Sequence, residues 1–279
     1  MRDQAAALRE LRALRPVEPR IPQGPPAVVL GSGKGGVGKS VLAIMLAASI
    51  ARLGHRVLLV DGAQNLGNLH VLLGARPAAD LDAVLSGDRA PEDLVQPVAP
   101  GLWLLAADSG ADTLYALGAV DRARLHHRLS SVYDGYDAVV IDGGSGLESV
   151  VRVATMRATS LAVVAVPEPT ALTDAYALIK IMSLQLPGLP VAVIANRTAD
   201  DAEGARLHEM LATASQRFLG RDLAYLGAIP EDPSMRDAVR TPSRLLLHDN
   251  SGPAAAAVQR LALACIPLGP RTPGLESES

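Results

Sequence analysis

From Ala27 onward, short apolar runs alternate with longer stretches in which apolar positions recur every three or four residues. The runs are AVVL (27–30), RVLLVD (56–61), DAVVID (137–142), LAVVAV (161–166), PVAVIAN (190–196) and AYLGAIP (224–230), most of them rich in Val and bounded by Gly, Asp or Pro. Runs of this length without polar alternation suit strands buried on both faces, as in a parallel sheet flanked by helices. The intervals between runs leave room for helices, the first over Lys39 to about Arg52. The predicted class is α/β, a doubly wound, mostly parallel sheet with helices on both faces. In such sheets ligands gather beyond the carboxyl ends of the strands. Gly31, Asp61, Asp142, Pro167 and Asn196 all stand at predicted strand ends, so five ends face one crevice.

The flanks read differently. Good helix formers over Asp3 to Arg15 place Leu8, Leu11 and Leu14 on one side, and VEPRIPQGPP then breaks any periodicity. The spacing predicts a short helix over 1–15, a Pro-rich linker over 16–26 and one main domain over 27–252. A C-terminal amphipathic helix follows over 253–266, with Val258, Leu261, Ala262, Cys265 and Ile266 on one face. The tail over 267–279, PLGPRTPGLESES, has the composition of a disordered segment.

Charge narrows the partners. With 26 basic and 29 acidic residues there is no global field to hold a polyanion, so direct nucleic-acid binding is not expected. The single cysteine, Cys265, rules out a disulfide framework or a thiolate metal site within one chain, and a reduced, cytoplasmic compartment fits. No uninterrupted apolar stretch approaches the about eighteen residues of a membrane span, and the N-terminus lacks a signal peptide's apolar centre. His126 and His127, in a polar stretch, read as solvated, and Trp103 as core.

The chemistry concentrates in one loop. Only three residues are lysine, and Lys34 and Lys39 share the loop from Gly31 to Ser40. Arginine's planar fork cannot replace a compact ammonium that must sit among phosphate oxygens, which is a reason to keep lysine there. Gly33, Lys34, Gly35, Gly36, Val37, Gly38, Lys39 and Ser40 fit the pattern G-x-x-x-x-G-K-[ST] between a strand and a helix, a phosphate-binding loop for ATP and Mg²⁺. Glycines let backbone N–H groups wrap the phosphates while the helix directs its positive end at them. Lys39 should reach the β and γ phosphates and Ser40 should ligate Mg²⁺. Asp142 ends an apolar strand, as needed to hold a Mg²⁺-bound water, although an acid there also suits a cap on the next helix.

The extra lysine near the start of the loop gives the variant K-G-G-x-G-K-[ST], and here the chain resembles the MinD/ParA family of dimeric ATPases. That resemblance implies that Lys34 reaches across an ATP-dependent homodimer to the partner's nucleotide. It also implies that Gly146, in GGSG after Asp142, lies close to the γ-phosphate. LVDGAQNLGNLHVLLG (59–74) is similar to the family's first switch segment, with Asp61 as its first acid, near Mg²⁺ and the reacting phosphate, and Asn68 as its asparagine. The second acid, which orients the attacking water, is replaced by Ala63. A methyl group accepts no hydrogen bond from water, so binding transfers more securely than hydrolysis. Gln64 beside it is a candidate substitute for orienting water. In the family an asparagine after a late strand pairs with adenine; Asn196 holds that place, with the backbone around Ile229, Pro230 and Asp232 flanking the base. A turn-forming role is the other reading of Asn196.

Within that family, the FlhG (FleN) branch is indicated by three segments: D-Q-A-x-x-L-R at the start, VPEPTALTDAYALIK (166–180) and LAYLGAIPEDPSMRDAV (223–239). The branch implies that Asp3, Gln4, Leu8 and Arg9 engage and stimulate an SRP-type GTPase, FlhF. A transcriptional regulator or a basal-body component is the further partner it implies. The C-terminal helix carries one cation, Arg260, and much alanine, so two roles stay open: peripheral contact with the inner face of the cell membrane, or packing on the domain. The competing functions are a positioning ATPase acting on DNA or division machinery, and an ATP-binding protein without turnover, which Ala63 favours. An iron–sulfur carrier is excluded by the missing thiolates.

Overall fold

The structure is a computed structural model. It describes residues 24–62, 69–76, 81–106, 128, 129, 131–144, 146–235, 238, 246 and 252–265. Eight strands form one sheet in the order β3-β4-β2-β5-β1-β6-β7-β8. They are β1 (Ala27–Gly31), β2 (Val57–Asp61), β3 (Val95–Ala99), β4 (Leu102–Leu105), β5 (Ala138–Asp142), β6 (Ser160–Ala165), β7 (Val191–Thr198) and β8 (Ala224–Pro230). Every pairing is parallel except β3 with β4. The six apolar runs are all strands. The β3–β4 hairpin is additional, and its Pro97, which lacks a ladder donor, is tolerated because β3 is an edge strand.

The helices are α1 (Lys39–Arg52), α2 (Leu69–Leu73), α3 (Leu81–Ser86), α4 (Leu147–Arg157), α5 (Pro169–Gln185), α6 (Asp201–Leu219) and α7 (Pro253–Cys265). They cover both faces, and the alternation within β1 shows how. Val28 and Leu30 face the cluster built with α1, α2 and α7, while Ala27 and Val29 face the cluster built with α4, α5 and α6. Both β1 sets are buried, so the strand sequence reads as a continuous apolar run, not an alternation. β1 also marks the reversal of strand order, since the chain passes to β2 on one side and later crosses to β6 on the other. Ligand crevices form at such a reversal.

The C-terminal helix packs on the domain. Ala254, Ala255, Ala257, Val258, Leu261, Ala262 and Cys265 are buried against α1 and β8, so its apolar stripe already has a partner inside the protein. Leu263 is its one large exposed hydrophobic side chain. Burial pushes the Cys265 thiol up to about 12, which leaves it unreactive at neutral pH. Among the described residues no helix is long and apolar enough to cross a membrane.

Candidate functional site

The register of the central strands assembles the site. Leu30 of β1 pairs with Asp142 of β5, and Asp142 in turn pairs with Asp61 of β2, so the two strand-terminal acids lie side by side at the start of the loop. The Asp142 backbone oxygen accepts from Gly62 N at 2.9 Å, and its carboxylate accepts from Gly144 N at 3.2 Å. Asp61 Oδ2 accepts from Leu69 N at 3.0 Å, tying β2 to the first residue of α2. Residues 63–68, including Ala63, Gln64 and Asn68, lie outside the described residues, as do Asp3, Gln4, Leu8 and Arg9.

The loop leaves β1 at Gly31 and enters α1 through Gly38, the N-cap residue, at φ 88°. Gly36 is also left-handed, at φ 80°, a conformation that favours glycine. No side chain caps α1, so its first N–H groups and the helix dipole are directed into the crevice. Gly33 serves another purpose. A Cβ there would lie 2.1 Å from the backbone oxygen of Asp174, so glycine lets the loop lie directly against α5.

Lys39 and Asp142 form a buried ion pair, Nζ to Oδ1 at 2.5 Å, with 7% and 2% of their side chains exposed. Each charge is removed from water and depends on the other. Ser40 stands half-buried in the first turn of α1. Gly146 caps α4 at φ 92°, with nothing within 4 Å of where a side chain would begin, which leaves open space beside that backbone.

Lys34 is held within its own chain. Its ammonium donates to Glu168 Oε2 at 2.8 Å and to Thr170 Oγ1 at 3.4 Å, both in the Pro-Glu-Pro-Thr turn that starts α5. The hydrogen bond and the charge of Lys34 hold the Glu168 carboxyl below the usual glutamate range. Both side chains are well exposed, and an exposed pair of this kind is easily exchanged.

Beside the loop lies a cavity of about 230 Å³. Its floor is Val41, Leu42 and Met45 of α1. Asn196, Ile229 and Pro230 form one wall, and Ala254 and Val258 of α7 another. Asn196 Nδ2 donates to the Val37 carbonyl oxygen at 2.7 Å, which connects cavity and loop and fixes the orientation of the amide. The structure therefore brings Gly33 through Ser40, Asp61, Asp142, Gly146, Asn196 and Pro230 to one end of the sheet. Sequence reasoning did not single out Glu168 and Thr170, nor the contribution of α1 and α7 to the cavity. The α1 residues sit on the same helical face as the core, so only the tertiary arrangement separates the two roles. Trp103 is half-buried at the other end of β4, edge-on to Tyr136, with Arg56 over both rings, in agreement with a packing role.

The sequence matches the model of the CobQ/CobB/MinD/ParA nucleotide-binding domain over residues 28–244. It is 33% identical over 233 residues to the antiactivator FleN of Pseudomonas aeruginosa, covering 84% of this chain and 80% of that protein. It is 31% identical over 214 residues to the flagellum site-determining protein YlxH of Helicobacter pylori, covering 76% and 72%. The fold is similar to that of the septum site-determining protein MinD of Pyrococcus horikoshii complexed with Mg-ADP, with TM-score 0.68, 26% identity and coverage of 85% and 94%.

Proposed function

This chain belongs to the FlhG/FleN branch of the MinD/ParA family of P-loop ATPases, and from that membership we propose that it is an ATP-dependent dimerising switch that regulates flagellar number and placement. One observation carries the reading: the uncapped start of α1 and the buried Lys39–Asp142 pair stand at the same end of the sheet as the cavity beside Gly38 and Asn196, and the Asn196–Val37 hydrogen bond ties that cavity to the loop.

The residues suit Mg-ATP. The Asn196 Nδ2 is committed to the loop, which leaves Oδ1 for the base. An acceptor at that position matches the exocyclic amine of adenine and opposes the O6 oxygen of guanine. Triphosphate oxygens arriving at α1 would draw Lys39 away from Asp142, replacing one buried ion pair with another. The freed Asp142 carboxylate, with Ser40 and Asp61, supplies the oxygen donors that a hard cation prefers. The bound Mg²⁺ would neutralise charge on the β and γ phosphates. No charge would be left uncompensated by this exchange, since the phosphates would take up Lys39 and the cation the Asp142 carboxylate.

Dimerisation would use Lys34. Glu168 and Thr170 hold it in one chain, and the anionic phosphates of a second copy would take their place as stronger partners for the ammonium. The residues around Asp3, Gln4, Leu8 and Arg9 would act on an FlhF-type SRP GTPase, with a transcriptional regulator or basal-body component downstream. Contact with a membrane surface would have to compete with the packing of α7 on α1. A second reading, ATP binding without turnover, rests on Ala63.

Weighing the protein in solution with ADP and with ATP, while phosphate release is followed in the same samples, tests the switch. A monomer with ADP and a dimer with ATP, with slow phosphate release, is expected. The same mass in both samples overturns the switch. A peptide of residues 1–15 is expected to stimulate an FlhF-type GTPase, and an unchanged GTPase rate would remove that partner.

A further inference from the structure

The geometry points to Arg197 as the residue that covers the purine in the cavity beside the loop, with Glu231 as its anchor. This rests on the ATP reading of that cavity and names a residue which that reading does not use.

Among the described residues, Arg197 is the one non-glycine with a positive φ, 56°. Side chains with a Cβ adopt this conformation at a cost, and such outliers persist where the surroundings impose them. Arg197 sits where the β7–β8 register shifts, between Asn196 and Thr198. Both neighbours turn inward: Asn196 donates to Val37, and Thr198, fully buried, donates through Oγ1 to the Ile229 oxygen at 3.4 Å. The irregularity therefore places two consecutive side chains at the cavity, Asn196 inside and Arg197 at the mouth, where a regular strand would send them to opposite faces.

The rim is built around that arginine. Glu231 N donates to the Thr198 oxygen at 2.9 Å, fixing Glu231 beside the bulge. Its Oε2 lies 3.9 Å from Arg197 Nε, and both residues line the cavity. The floor is apolar, from Val41, Leu42 and Met45. A base resting on that floor has its other face toward the mouth. A planar guanidinium stacks on an aromatic face more effectively than an ammonium does. The Arg197 side chain is about half exposed, so it has room to close over a bound base.

The test titrates the full-length wild type, Arg197→Gly, Arg197→Lys and Glu231→Gln with ATP and, separately, with inorganic tripolyphosphate, which engages the loop but has no base. Arg197→Gly is expected to weaken ATP binding about tenfold and to leave tripolyphosphate binding unchanged. Its melting temperature should be equal to or above the wild type, because glycine accepts the left-handed backbone. Arg197→Lys keeps the charge without the plane and should recover less than half of the loss on a logarithmic scale. Glu231→Gln should lose less, again for ATP only. A merely structural arginine would lower the melting temperature and weaken both ligands together. Equal ATP affinity in wild type and Arg197→Gly, or equal losses for ATP and tripolyphosphate, overturns the proposal. A wild type that binds neither ligand overturns the ATP site itself, and the two failures are therefore distinguishable.

Discussion

Lys39→Ala is expected to abolish ATP binding and at the same time to destabilise the fold by about 3–5 kcal/mol, the usual cost of removing one partner from a buried ion pair. Both effects come from one contact. Lys39 Nζ sits 2.5 Å from Asp142 Oδ1, with both side chains almost wholly buried. Its removal leaves the Asp142 carboxylate with Gly144 N as its described donor and no cation. The pairing of Lys39→Met with Asp142→Asn separates the two effects. With both charges gone, most of the stability should be regained, while ATP binding stays lost. Denaturant melts and calorimetric titration read the two quantities independently. A Lys39→Ala protein that keeps both its stability and its ATP affinity would remove Lys39 from the site.

The second large effect is a gain. Ala63→Asp should raise ATP turnover by about 10² to 10⁴, the range expected for a positioned base or water-orienting group. Ala63 stands two residues after Asp61, where the family resemblance expects a carboxylate. The segment containing it leaves the site at Asp61 and Gly62 and returns at Leu69, and Asp61 Oδ2 bonds the Leu69 backbone N–H. Both ends of the segment are thus fixed beside Asp142. The increase should appear as a change in kcat, with little change in ATP affinity, because the group acts on water and not on the nucleotide. Wild-type turnover equal to that of Ala63→Asp would show that another group, for example Gln64, already performs the task.

The central architecture was legible because burial on both faces leaves an unmistakable mark. Six apolar runs, most of them Val-rich, became six strands, and the endings in Asp placed Asp61 and Asp142 together before any contact was visible. The phosphate loop was legible because glycine and lysine are chemically hard to replace there. The β3–β4 hairpin was not. β3 is half exposed, carries Gln96 and Pro97, and therefore lacks both the apolar run of a buried strand and the clean alternation of a half-buried one. The partner of Lys34 was equally hidden, since Glu168 lies 134 positions away and no local period reports such a contact. Gly33 was assigned to the phosphates, whereas its missing side chain also makes room for the Asp174 carbonyl. The apolar stripe of α7 suits a lipid surface and a protein groove equally well in sequence. Its burial against α1 and β8 shows which surface it meets in the fold.

That helix also sets an order of events during synthesis. The loop and α1 leave the ribosome early, but Ala254 and Val258 of α7 wall the base cavity, and Asp232 Oδ2 accepts from Ala254 N at 3.3 Å at the helix start. Since a chain emerges from its amino end, the phosphate half of the site can form long before the base half. A nascent chain could gather phosphate but not enclose adenine until Cys265 had cleared the exit tunnel. Fragments broken off before Pro253 would lack that wall and are expected to hold the base more weakly than the phosphates.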